Sequence, residues 1–137
     1  MNPKDRVGTK KPGISAVPAN VLMELAVAMT EGAYRYGRHN YRSVPVNGSV
    51  YYDATLRHLM AWWEGEDLDP DSGISHITKA IASLTVLRDA MMQQSLVDDR
   101  PPRSLPWVQQ ITNAAAVLYE KYPDKAKPYT EQLSSEE

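Results

Sequence analysis

The sequence predicts an all-α protein, a bundle of about four helices completed by oligomerisation. Three observations point there: apolar residues recur at helical spacing in four separate stretches, prolines and glycines mark the breaks between them, and no stretch makes a convincing claim to be a strand. At 137 residues the chain is the size of one domain, read as residues 1–121, with a charged tail over 122–137. Fifteen Lys and Arg against seventeen Asp and Glu leave a net charge of −2, which argues against a protein built to coat duplex DNA or an anionic membrane. The absence of Cys excludes disulfides, Cys-based zinc sites, iron–sulfur clusters and thiol nucleophiles together. Apolar runs are too short for a signal peptide or a membrane span, so the expectation is a soluble cytoplasmic protein.

Residues 1–17 carry Pro3, Gly8, Pro12 and Gly13 among Lys4, Arg6, Lys10 and Lys11 and read as a basic arm without secondary structure. The first helix starts near Pro18, repeats Leu22, Leu25, Ala26, Met29, Ala33 and Tyr36 on one face, and stops at Gly37. After the break at Pro45, Asn47 and Gly48, a second helix carries Tyr52, Leu56, Leu59, Met60 and Trp63 as its stripe up to Gly65. Pro70 keeps Asp69 out of the α region, so residues 67–73 form an acidic elbow, with Asp71 or Ser72 as the expected cap of the next helix. That third helix places Ile74, Ile77, Ile81, Leu84 and Met91 on one stripe with Ala80 and Leu87 beside it. A fourth comes after Ser104 and Pro106, with Trp107, Val108, Ile111, Ala115, Leu118 and Tyr119 in register. Trp62 and Trp63 point about 100° apart on one helix, and Met91 and Met92 repeat this, so the apolar arc exceeds what four short helices bury alone. A homodimer or homotetramer is expected.

The polar residues concentrate at the elbow. Glu66, Asp67, Asp69 and Asp71 crowd the C-terminal end of the second helix, where the macrodipole adds roughly 0.3–1 kcal/mol of repulsion per exposed charge. Such a set suits a hard divalent cation such as Mg²⁺, with Mn²⁺ able to substitute. A solvated acidic turn is the alternative. Arg57 and His58 precede the elbow, and His76 and Lys79 come after it at i, i+3, where cations can serve the remaining oxygens of a polyphosphate. From Tyr34 to Arg42 aromatic and basic residues interleave, a pattern able to stack on a base and grip phosphate. There is no P-loop, no His followed by Asp, and no nucleophile elbow around any serine.

Read together, Asn2-Pro3-Lys4-Asp5, Gly32-Ala33-x-Arg35-Tyr36-Gly37-x-x-Asn40-Tyr41, Leu56-Arg57-His58-Leu59, Gly65-Glu66-Asp67-x-Asp69-Pro70-Asp71-Ser72-Gly73-x-x-His76 and Asp98-Asp99-Arg100-Pro101 resemble the phage-borne dATP/dGTP diphosphohydrolase family. That family is a MazG-like branch of the all-α nucleoside triphosphate pyrophosphohydrolases, and the similarity runs from residue 2 to about 101. The resemblance implies Mg²⁺-dependent cleavage of a purine (d)NTP, dGTP foremost, to (d)NMP and pyrophosphate. In a phage this would supply dGMP for 2-aminoadenine nucleotides in the host cytoplasm. Glu66 and Asp69 match the family's E-x-x-D spacing and become the catalytic pair. Together with Asp71 they would hold the metal, which lowers the pKa of the attacking water. Lys79 stands where many relatives carry a second His, so it reads as a phosphate contact. Lys10, Lys11, Arg35, Arg57, His58, His76 and Lys79 are the expected phosphate and sugar contacts, and Tyr36, Asn40 or Tyr41 those to the base. Asp89 and Asp98-Asp99-Arg100 remain open as further members. The competing class is a non-catalytic helical module in which residues 34–42 bind single-stranded nucleic acid.

Overall fold

The computed structural model describes residues 1–130, so the end of the expected tail, 131–137, lies outside the described residues. Residues 123–130 are exposed and carry neither helix nor strand. The chain divides into two compact units, Met1–Arg100 and the residues from Pro101 onward. The first contains α1 (Pro3–Gly8), a 3₁₀ turn (Ile14–Ala16), α2 (Ala19–Tyr36), α3 (Asn40–Ser43), β1 (Val46–Asn47), α4 (Gly48–Trp63), α5 (His76–Met92) and β2 (Leu96–Val97). The second contains α6 (Val108–Lys121). The four long helices are the four that the sequence predicts, and the protein is all-α.

Three local expectations are corrected. The basic arm is not structureless, because Pro3 opens α1 and the Asn2 side chain accepts a hydrogen bond from the Lys4 amide at 2.9 Å. A two-residue parallel pair joins Val46 to Leu96 and Asn47 to Val97, too short for an alternating pattern to reveal. The cap of α5 is Ser75, whose hydroxyl accepts from the Thr78 amide at 3.4 Å, rather than Asp71 or Ser72.

α5 is the central helix, packed on α4 and on α2. Its C-terminal half supplies Val86 and Ala90 to a small core with Val46, closed by Met29, Tyr41, Tyr51 and Leu96. The buried side chains of α5 are His76, Thr78, Ala80, Val86 and Ala90, whereas Leu84 and Met91 of the expected stripe are 48 % and 47 % exposed. The other stripes behave alike: Leu22 and Tyr36 of α2 and Tyr52, Met60 and Trp63 of α4 are exposed. Within one chain, most of the fully buried helix residues are therefore small or polar, while part of each apolar stripe stays exposed.

The acids downstream of the elbow hold elements together. Asp99 accepts from the Ser49 amide at 2.8 Å and from the Ser49 hydroxyl, which caps α4 from a distant position where Asn47 offers no side-chain bond. Those bonds hold the Asp99 carboxyl below its ordinary range, the side-chain bond first. Asp89 receives both Nε and a terminal nitrogen of Arg42, at 3.1 and 2.8 Å. Asp98 receives Arg100 in the same two-pronged way, which lowers its pKa to about 2. Asp89, Asp98 and Asp99 are thus engaged in capping and ion pairs.

Candidate active site

Gly65 and Gly73 take positive φ, +103° and +74°, and bracket a tight hairpin-like elbow. Inside it, a lone antiparallel bridge pairs Leu68 with Ser75, and the Asp69 amide donates to the Ile74 carbonyl at 2.8 Å. The Asp69 carboxylate is consumed by the turn, accepting from the Asp71 amide at 3.2 Å and from the Ser72 hydroxyl at 2.9 Å. Burial alone would raise its pKa, but these bonds and the nearby His58 and His76 bring it below the usual carboxylate range. Asp71 instead reaches back to α2, where it meets a terminal nitrogen of Arg35 at 3.0 Å and raises the Arg35 pKa.

Glu66 turns to a third partner. Its Oε1 lies 2.6 Å from Nε2 of His76, and Nδ1 of His76 lies 2.8 Å from Nδ1 of His58. His76 is almost wholly buried, while Glu66 is about half exposed. Three residues spread over 19 positions of sequence thus form a continuous carboxylate–imidazole–imidazole chain from the surface of the elbow to α4. Burial, with His76, Lys79 and Arg57 assisting and Asp69 opposing, lowers the pKa of His58.

Because Glu66, Asp69 and Asp71 face three different partners, the expected ligand set is not gathered. Among the described residues no three His, Asp or Glu groups stand close enough to hold a metal ion.

Beside the elbow a cleft of about 400 Å³ opens between the second half of α2, the turn after it, Tyr51 of α4 and the stretch Lys79–Val86 of α5. Gly37 at φ +90° and His39 at φ +66° make the reversal that closes its end. Arg35, Tyr36, Tyr41 and Lys79, all predicted from sequence, line it. Glu31 was not predicted and organises them: its Oε2 accepts from Lys79 Nζ at 2.8 Å, and its Oε1 lies 2.5 Å from Arg35 Nε. That second oxygen is buried without a hydrogen bond, so its compensation is charge alone. The i, i+4 spacing of Glu31 and Arg35 on a helix was the available signal. Glu24, which accepts from the Thr78 hydroxyl, and Tyr51, whose pKa burial raises, were missed as well.

The remaining predicted contacts lie elsewhere. Lys10 and Lys11 are exposed on the arm, Arg57 is exposed on α4, and Asn40 opens α3 without lining the cleft. The structure thus brings together Arg35, Tyr36, Tyr41 and Lys79 in one place and Glu66, His76 and His58 in another.

No curated protein and no solved structure matches the chain. A family model described as dATP/dGTP diphosphohydrolase, N-terminal, matches residues 1–100, the same residues that form the first compact unit. With well over half of the sequence matched, the chain belongs to the dATP/dGTP diphosphohydrolase N-terminal family.

Proposed function

We propose that the protein hydrolyses purine (d)NTPs, dGTP foremost, between the α and β phosphates to give (d)NMP and pyrophosphate. The observation that carries this reading is the pair of cations, Arg35 and Lys79, anchored on one part-buried carboxylate, Glu31, at the wall of a 400 Å³ cleft. A triphosphate entering there meets two positive groups whose positions Glu31 fixes, and competes with Glu31 and Asp71 for them. Tyr36, Tyr41 and Tyr51 offer ring surface for the purine. Mg²⁺ enters as the counter-ion of the triphosphate, as part of the substrate, and Mn²⁺ replaces it. In a phage the reaction would withdraw dGTP and supply dGMP for 2-aminoadenine nucleotides.

Incubation with each of the eight (d)NTPs and Mg²⁺, with products resolved by chromatography, tests the reading. The expected result is dGMP with pyrophosphate from dGTP and slower turnover of pyrimidines. Release of orthophosphate with (d)NDP overturns it. So does a melting temperature that oligonucleotides raise and Mg·dGTP does not, since linkage requires a native-state site for whatever stabilises.

The working form is a homodimer or homotetramer. At the end of α4, Leu59, Met60, Trp62 and Trp63 line an apolar hollow, with Trp63 79 % exposed, and Leu84 and Met91 of α5 are also uncovered. Among the described residues no large side chain is fully buried, so these faces gain their burial from another copy. Light scattering at micromolar concentration should give a multiple of the 15.4 kDa chain mass, and a 15.4 kDa species would refute it.

A further inference from the structure

We propose that Arg38 selects guanine in the cleft, its guanidinium donating to O6 and N7 of the purine. This rests on the function proposed above and names the residue that sets its base preference. Arg35, Arg38 and Lys79 all line the cleft. Two of them are already engaged: Arg35 is held by Glu31 and Asp71, and Lys79 by Glu31. The exposed Arg38 side chain has no hydrogen-bond, ion-pair or ring partner among the described residues. All five of its N–H donors are therefore unspent, and a ligand takes them without displacing a carboxylate. Recruiting Arg35 or Lys79 to a base would instead strip Glu31 of the cations that compensate its part-buried charge.

The fold fixes where Arg38 stands. Its neighbours Gly37 and His39 take φ +90° and +66°, and the Asn40 amide closes the turn on the Gly37 carbonyl at 3.2 Å. The left-handed region is uncommon for a residue with a Cβ, so the backbone at His39 is held by its turn. Its ring meets that of Tyr41 edge-on, with centroids 6.4 Å apart and planes at 86°. Tyr36, His39 and Tyr41 line the cleft together with Arg38, so the unspent guanidinium is placed among aromatic rings. A planar, uncharged base finds stacking surface here, whereas the triphosphate has its two cations where Glu31 gathers Arg35 and Lys79.

The chemistry of a free guanidinium then picks the base. Guanine presents two acceptors side by side, O6 and N7, which match two N–H groups of one guanidinium. Adenine presents N7 beside an N6 amino group, so one N–H of Arg38 would face another donor. Cytosine presents an amino donor and thymine a lone acceptor beside a methyl group, and neither takes both N–H groups. Arg38 thus favours dGTP over dATP and over both pyrimidines while the contacts to phosphate stay the same for all four.

The experiment measures kcat/KM of the full chain and of its Arg38→Gln variant on the Mg²⁺ complexes of dGTP, dATP and 7-deaza-dGTP, whose base lacks the N7 acceptor. Glutamine pairs one donor with one acceptor, the pattern that adenine N7 and N6 match. The parent should prefer dGTP to dATP and lose roughly 10-fold on 7-deaza-dGTP, as removal of one acceptor from a charged donor does. In Arg38→Gln the ratio of kcat/KM for dGTP over dATP should fall by roughly 10–10²-fold, and the deaza substitution should matter little. The variant should melt with the parent, because the side chain it replaces is exposed and unpartnered. Equal losses on dGTP and dATP would make Arg38 a phosphate contact and overturn the selection. A variant that keeps the parent's ratio within a few-fold overturns it too, as does a parent that hydrolyses 7-deaza-dGTP or dATP as fast as dGTP. In each of those cases hydrolysis to pyrophosphate stands. A parent that releases no pyrophosphate from any (d)NTP overturns the function reading and the selection with it.

Discussion

Replacing Lys79 by Met lowers kcat/KM for dGTP by at least ~10²-fold, because it removes one of two cations that meet the triphosphate and leaves an apolar stem in its place. The same change costs stability for a separate reason. Lys79 and Glu31 are each only about one fifth exposed, and Met leaves the Glu31 carboxylate with Arg35 as its remaining partner. Breaking a buried pair from one side costs roughly 3–5 kcal/mol, most of it the desolvation of the charge left behind, and the partial exposure of both groups puts this pair at the lower end. The two effects separate in a double variant. In Lys79→Met with Glu31→Gln, the stranded charge is gone, so denaturant unfolding should return most of the lost stability while hydrolysis stays depressed. If the double variant regains both stability and turnover, Lys79 serves the fold alone and the phosphate role is withdrawn.

Ala90→Leu should lower the melting temperature by more than 10 °C. Ala90 is fully buried and lies in the cluster with Val46 and Val86 that closes β1 and β2 against α5. Three added carbons have no space there, and overpacking of this kind costs about 1–3 kcal/mol even in a large core. Here the core is small, so less of the fold can relax around the insertion, and the upper end of that range is expected. At roughly 4–8 °C per kcal/mol for a unit of this size, a cost near ~3 kcal/mol gives the stated shift. Leu84→Ala, at a half-exposed position on the same helix, is the comparison: it should leave monomer unfolding nearly unchanged and weaken self-association instead. Circular-dichroism melts of both variants, read with their sedimentation behaviour, check the pair. An Ala90→Leu protein that melts within about 2–3 °C of the parent, on the same scale, would mean that the site has slack which the packing does not suggest.

The elbow shows how far side-chain identity carries on its own. The acidic run, the prolines and glycines around it and the flanking histidines mark the region as chemical, and the spacing of His76 and Lys79 puts them on adjacent turns. Composition treats the four carboxylates as one cluster because charge is counted without direction. In the folded chain Glu66, Asp69 and Asp71 each meet a different donor. Asp69 folds onto its own turn, Asp71 crosses to Arg35, and Glu66 meets His76. Glu31 escaped notice for the converse reason: its i, i+4 spacing to Arg35 is a common surface pattern, and it acquires its role only when α5 brings Lys79 alongside.

Helical periodicity, the stops at Gly37 and Gly65 and the break at Pro70 come from local backbone preferences, and these determine the four long helices and the all-α class without any tertiary knowledge. The residue order from Arg57 to His76 likewise points to the family whose model matches residues 1–100. Which face of each helix is buried is a different matter, since periodicity reports that a helix has an apolar stripe and not what covers it. The tertiary structure buries Ala28, Ala80, Ala90, Thr78 and His76 and leaves Leu22, Met60, Trp63 and Met91 outside. Small side chains let helices approach closely, and the polar ones find partners across the contact. The pairing of His58 with His76, 18 residues apart, and of Glu31 with Lys79, 48 apart, exists only because α5 lies against both α4 and α2.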